Sequence, residues 1–224
     1  MDTEARDALL ALPHRIETWP AGRYLVRAGE RATRCFVLLD GFVYRHKIVG
    51  NGGRQIVCIH MPGDLVDLQN SMLCLADENV QALTAIEAAA IQIDRLAALI
   101  EAHPAIGKAI LKESLVEAAI FSEWIANVGR RDSRTRMAHI LCEIAFRQRA
   151  AGLSSNGQFY LPLTQEQLGD ALGLTAVHVN RTLKALEAER LISRRSRSVF
   201  VEDWDALMCA GDFTPTYLHL EETS

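Results

Sequence analysis

The residues best placed for chemistry lie between 161 and 191. Thr164 stands three residues before Gln167, the spacing of a capping box at a helix N-terminus. Leu168, Ala171 and Leu172 follow as one apolar face of a short helix. Gly169 permits close approach of a neighbouring helix, and Gly173 ends the helix where a positive φ costs little. Thr175 caps a second helix whose Val179, Leu183 and Leu186 recur at inward spacing. Two short helices joined by a tight glycine turn, the second one capped, make a helix-turn-helix. Helical geometry then turns Val177, Asn180, Arg181 and Lys184 outward, with Ala176 and His178 beside them. That set can read a DNA duplex. Arginine bonds guanine through two donors, asparagine bonds adenine, and valine meets a thymine methyl. Thr164, Thr175, Lys184 and the N–H groups at the helix start suit phosphate. The competing reading, two packed helices of an unrelated core with Arg181 merely solvated, does not explain why caps, glycine turn and outward polar face all agree.

The stretch 191–201 reads as strand, basic turn, strand, a β-wing carrying Arg194, Arg195 and Arg197 toward phosphate. Charge follows the same division. Residues 130–202 hold twelve Arg and Lys against seven Asp and Glu, while the rest of the chain holds twelve against twenty-one. Cationic side chains that replace counterions on phosphate leave this footprint. A solvated basic face would leave it too, so charge supports the motif without deciding the matter.

The elements that must position this module precede it. Runs 24–27, 35–39, 42–48, 55–60 and 88–93 read as short strands, and the region from about 19 to 93 as β structure. The turn signals between them include Asp40-Gly41, Asn51-Gly52-Gly53 and Pro62-Gly63-Asp64. Strands at this spacing suggest a jelly-roll or barrel. From Pro104 to about Val128 the pattern is helical, with two apolar stripes. Ile106, Ile110, Ile120, Trp124 and Val128 form one; Leu111, Leu115, Ala118 and Ile125 form the other. A helix apolar on two faces must be covered on both, which points to a core on one side and a second copy of the helix on the other. Gly129-Arg130-Arg131-Asp132 reads as a hinge, with Asp132 or Ser133 capping a helix to about Ala150, and 151–158 reads as a loop. The fold class is therefore α+β: an N-terminal β-roll, jelly-roll-like, over 1–103; a dimerisation helix over 104–129; and a winged helix-turn-helix over 130–224.

With these residues in view, the chain resembles the Crp/Fnr superfamily of bacterial regulators over nearly its whole length. Residues 163–191 are similar to the family's winged helix-turn-helix, the 104–128 helix resembles its dimerisation helix, and Pro62-Gly63-Asp64-Leu65 resembles its Pro-Gly-acidic-Leu segment. The resemblance implies that Ala176, Val177 and Arg181 read bases, that Thr175 and His178 touch phosphate or flanking bases, and that double-stranded DNA is bound by a homodimer at a palindrome. It makes RNA polymerase a further candidate partner. Val177 departs from the family's usual acidic residue, which implies a different half-site. The resemblance places an effector pocket at Gly63, Asp64, Leu65, Leu75 and Ala76. Members that bind cyclic AMP meet its phosphate with an arginine; here the position falls near Ala76, followed by Asp77 and Glu78, and no Arg or Lys occurs between Arg54 and Arg95. Asp64, Asp67, Glu87 and Asp94 add negative charge, and Leu65, Val66, Leu68, Met72, Leu73 and Leu75 suggest an apolar or self-filled pocket. Cyclic AMP is not expected to bind, and the effector stays unnamed.

Other classes find little footing. No P-loop, G-x-G-x-x-G, H-E-x-x-H or G-x-S-x-G is present, so no catalytic residues are expected; Asp64 and Asp67 are better read as loop carboxylates. Cys35, Cys58, Cys74, Cys142 and Cys209 are scattered, and none precedes position 35, which argues against an iron–sulfur cluster and for free thiols in the cytoplasm. No metal site is expected. His46, His60 and His103 leave haem undecided. No run is apolar enough for a membrane helix, and the acidic first twelve residues lack a signal core. The remaining alternative is a regulatory module that uses the winged helix for protein contacts.

Overall fold

The computed structural model describes residues 2–69, 73, 75–154 and 157–220. Met72 and Cys74 therefore lie outside the described residues, as do two positions of the 151–158 loop. The chain clusters into two compact units: residues up to 47 with 57–117, and 48–56 with 118 onward.

The first unit opens with helix α1 (Thr3–Leu10), followed by strands β1 (His14–Trp19), β2 (Tyr24–Val26), β3 (Arg34–Asp40) and β4 (Val43–Ile48). Strands β5 (Arg54–His60), β6 (Leu65–Val66), β7 (Asn79–Ala82) and β8 (Ile86–Gln92) complete the roll. They form two four-stranded sheets, ordered β1-β8-β3-β6 and β2-β7-β4-β5. Val26, Val43, Val80 and Ala82 of one sheet meet Phe36, Leu38, Val66, Ile86, Ala88 and Ala90 of the other in a single apolar cluster. This is the expected jelly-roll-like sandwich. The Asp40-Gly41 turn works as its sequence suggests: Gly41 has φ +80°, and a Cβ there would stand 2.3 Å from the Ala85 carbonyl oxygen.

Three strands escape the sequence reading. β1 is largely exposed and polar, β6 spans two residues, and β7 alternates too briefly to register. The reading also runs the last strand through Ile93, whereas Ile93 opens helix α2 (Ile93–Ala102), which buries Leu96 against Leu12, Cys35 and Ile91.

Helix α3 (Pro104–Arg130) starts at a proline, whose missing N–H costs nothing at a first helical position. Its two stripes differ in burial, although Ile110 and Val128 of the first are only half-buried. Ile106, Ile120 and Trp124 are buried, whereas Leu111, Leu115 and Ile125 are 58%, 63% and 73% exposed and Ala118 is exposed with them. The helix runs through Gly129, so the break falls at Arg131 and Asp132.

In the second unit the Asp132 carboxylate accepts N–H bonds from Arg134 and Thr135, both at 2.9 Å, and caps helix α4 (Ser133–Ala150). The Thr135 N–H holds that carboxyl below its ordinary range. Met137, Ile140, Leu141, Ile144 and Ala145 face inward as expected. Then come strand β9 (Gln158–Tyr160), helices α5 (Gln165–Leu172) and α6 (Ala176–Ala188), strands β10 (Ile192–Arg195) and β11 (Ser198–Val201), helix α7 (Trp204–Ala210) and a 3-10 turn (Pro215–Leu218). β9, which follows the expected 151–158 loop and overlaps it only at Gln158, has no counterpart in the sequence reading. It pairs with β11 and is held by the buried Gln148 amide, which accepts from Tyr160 N–H (3.0 Å) and donates to its carbonyl (2.6 Å). In the same unit Arg54 meets Asp170 at 2.6 Å.

Candidate nucleic-acid interface

The helix-turn-helix forms from its own local signals. Thr164 Oγ accepts from Gln167 N–H at 3.2 Å while the Gln167 side chain accepts from Thr164 N–H at 2.9 Å, a complete capping box. Gly173 closes α5 at φ +65°. Thr175 Oγ accepts from His178 N–H at 3.3 Å and starts α6. Val179, Leu183 and Leu186 are buried. The turn is held at both ends. Arg136 of α4 donates to the Leu172 carbonyl at 2.9 Å and to the Arg131 carbonyl at 2.8 Å, a cation set on the carbonyl ends of α5 and α3. Gly169 serves differently from expectation. A Cβ there would lie 2.4 Å from the carbonyl oxygen of Leu174, so the close neighbour is the turn itself and not another helix.

The outward face of α6 is mostly as expected. Val177 is 81% exposed, and Ala176, Arg181 and Lys184 are exposed as well. Together with Gln165 and Asn180 they line one open concavity. Asn180 is half-buried and donates to the Gln165 side chain at 3.1 Å, so Gln165, which the sequence reading passed over, shares the surface. Arg181 lies 2.6 Å from His178 Nε2 and is exposed. The hydroxyls of Thr164 and Thr175 are exposed and act as acceptors in their caps, so each keeps its own O–H for a phosphate.

The wing arginines divide. Arg194 is clasped by Glu187, both contacts at 2.9 Å, and this bond holds the Glu187 carboxyl below its ordinary range. Its place in the strand turns it onto α6 rather than out from the turn. Arg197 donates to the Pro162 carbonyl at 3.1 Å and the Tyr160 hydroxyl at 3.3 Å. Arg195 is exposed at the tip. Other arginines of the basic segment are structural: Arg131 pairs with Glu123 and Asp212, and Arg134 with Glu189. The regional charge excess thus overstates how many cations face outward.

The suggested effector residues belong to the roll. Gly63 takes φ +99° in the turn, and Asp64 accepts from Met61 N–H at 3.0 Å. Leu65 is half-buried on β6, Leu75 is exposed, and Ala76 is buried in the core between the sheets. The roll also contains Arg45, a buried cation on β4 outside the span searched in the sequence. Its guanidinium meets Glu78 at 2.6 Å and Glu117 at 2.7 Å. Lys47 meets Asp77 at 2.9 Å.

Comparison with known proteins agrees with this geometry. Residues 16–103 match the model of the cyclic nucleotide-binding domain and 135–210 that of the Crp-like helix-turn-helix domain. The transcriptional activator protein FnrL of Cereibacter sphaeroides is 30% identical over 200 residues, covering 87% of this chain and 80% of that protein. The chain belongs to the Crp/Fnr family of transcription regulators. The activator anr of Pseudomonas aeruginosa is 25% identical, covering 91% of this chain and 83% of its own. FixK2 from Bradyrhizobium japonicum shares the fold of this Crp/Fnr regulator, with a TM-score of 0.82 at 20% identity over 91% of this chain and all of that one. No helix among the described residues is long and apolar enough to cross a membrane.

The turn geometry generates a paired prediction. Gly169→Ala should destabilise the protein by about 1–3 kcal/mol, because the added methyl displaces the Leu174 carbonyl. Gly129→Ala, in the exposed last turns of α3 with nothing within 4 Å, should stabilise it by about 0.5–1 kcal/mol. Urea denaturation of the two variants measures both, and equal midpoints would refute the account of Gly169.

Proposed function

We propose that this regulator is a cytoplasmic homodimer, without catalytic activity, that binds an imperfect DNA palindrome by inserting the N-terminal half of α6 into the major groove of each half-site. The roll over 1–103 acts as the sensor, the helix over 104–129 as the dimer seam, and 130–224 as the DNA-binding part. The exposed row Ala176, Val177, Arg181 and Lys184 on a capped helix carries the reading. Arg181 supplies bidentate guanine contact, Val177 an apolar contact to a thymine methyl, and Thr164, Thr175, Lys184 and Arg195 hold phosphate. Arg194 and Arg197, tied to their own module, shape the wing. Arg181→Ala should cost about 1–3 kcal/mol of operator binding and relax preference at one base position. Titration against a randomised half-site library measures this, and an unchanged preference would overturn it.

The bare stripe of Leu111, Leu115, Ala118 and Ile125 supports the dimer. Its members fall four, three and seven residues apart, close to a coiled-coil seam, and pairing sets two recognition helices about 34 Å apart, one turn of DNA. Ile125→Glu should convert the dimer to monomer in light scattering at micromolar concentration; a wild type that is already monomeric with DNA present would refute the seam.

The sensor reading excludes cyclic AMP. The buried Arg45 is already bound by two carboxylates, and Ala76 offers a methyl in the apolar core. A cyclic phosphate there would replace satisfied ion pairs with an unpaired buried charge, at a cost of several kcal/mol. Calorimetry should show no saturable heat with cyclic AMP, and a low-micromolar dissociation constant would show that the pocket reorganises.

A further inference from the structure

No metal site is expected from the sequence, yet among the described residues folding gathers one set of ligating side chains in the roll. Cys58 and His60 are two apart on β5, so strand alternation places both on one face. Glu117 reaches them from α3. A ligand atom from each, thiol sulfur, imidazole nitrogen and carboxylate oxygen, lies within 4.8 Å of the other two. Cys58 Sγ is 3.9 Å and His60 Nε2 is 3.7 Å from Glu117 Oε1. Zinc–ligand bonds of ordinary length imply tetrahedral edges of about 3.3–3.6 Å. The two edges to the carboxylate therefore stand within about half an ångström of a formed site.

The second observation is His60 itself. Its ring is buried, and among the described residues Nε2 makes no hydrogen bond, with Glu117 Oε1 beyond hydrogen-bond range at 3.7 Å. On the other side, Nδ1 is 3.5 Å from Asp64 Oδ2, and Asp64 is fixed by the Met61 N–H at 3.0 Å. A carboxylate behind one ring nitrogen, orienting the other toward a ligand position, is the outer-shell arrangement of metal-binding histidines. Local charge agrees. Asp64 stands behind His60, and Arg45 meets Glu117 on one side and Glu78 on the other. Arg45 competes for Glu117 Oε1, but it keeps its contact with Glu78 when Glu117 turns to a metal.

We propose that Cys58, His60 and Glu117 bind one divalent transition-metal ion of the zinc type, leaving a fourth coordination position for water or an exchangeable ligand. Thiolate with imidazole and a single carboxylate suits zinc or cobalt, and is too soft a donor set for magnesium or calcium. Binding deprotonates the Cys58 thiol, and that proton passes to the buffer. The ion would join β5 to α3 inside the first unit, and the site stands independently of the DNA-binding reading.

The test uses the full chain, stripped of metal with a chelator and titrated with cobalt(II). Thiolate-to-cobalt charge transfer and the visible bands of a tetrahedral ion should saturate at one ion per chain, and zinc should abolish them. Cys58→Ala should lose the charge-transfer band. His60→Gln and Asp64→Asn should each weaken binding about 10–100-fold, and the exposed Cys209→Ser should not. Circular dichroism verifies that each variant is folded. Absence of a charge-transfer band in the wild type, which needs no variant, overturns the proposal, and so does a band that survives in folded Cys58→Ala.

Discussion

A single buried carboxylate organises the second unit. Glu143 of α4 is fully buried and accepts from Trp124 Nε1 at 3.0 Å and from the Tyr217 hydroxyl at 2.7 Å, with Arg147 at 3.8 Å. Burial pushes its carboxyl above the ordinary range, against the pull of Arg147 and the two donors. Three parts of the chain thereby share one acceptor: the end of α3, the first helix of the DNA-binding module and the C-terminal 3-10 turn. Each donor left without it would forfeit about 1–3 kcal/mol, so the three parts are held in one arrangement. His139 extends the network, with Nδ1 at 3.0 Å from the Gly211 carbonyl and Nε2 at 3.1 Å from the Tyr217 hydroxyl.

This anchoring has a consequence for α6. A recognition helix must present its side chains at fixed angles, which requires rigid support behind it. Val179, Leu183 and Leu186 give apolar support, and Arg136 ties the carbonyl ends of α5 and α3. The same logic explains the uneven use of arginine. Arg131, Arg134, Arg136 and Arg194 make bonds within the module, whereas Arg181 and Arg195 stay toward solvent. A guanidinium with a rigid fork of donors suits either task, and only its neighbours decide which.

The roll follows a different rule. Its interior is filled by small and branched apolar side chains, and its buried charges sit near the β4, β5 and α3 elements in compensated groups. A cyclic nucleotide-binding fold is thus present, and within it Arg45 is paired with Glu78 and Glu117. Fold and ligand are separable properties, so the roll's architecture does not by itself name what it binds.

What the sequence determined by itself was local. The capping box at Thr164 and the left-handed Gly173 are encoded within a few turns of chain and formed as read, and Asp132 proved to be the cap where Asp132 or Ser133 was expected. The Asp40-Gly41 hairpin belongs with them. The tertiary structure decided what depends on distant partners. β9 exists because β11 and Gln148 accept it, and Gly169 is required by a carbonyl five residues on. Arg194 turns to Glu187, Arg45 spans Glu78 and Glu117, and Cys58 and His60 find a carboxylate 59 and 57 positions away along the chain. Periodicity reports which face a residue occupies, but the partner on that face is set by packing between elements, and packing carries no signal at short range.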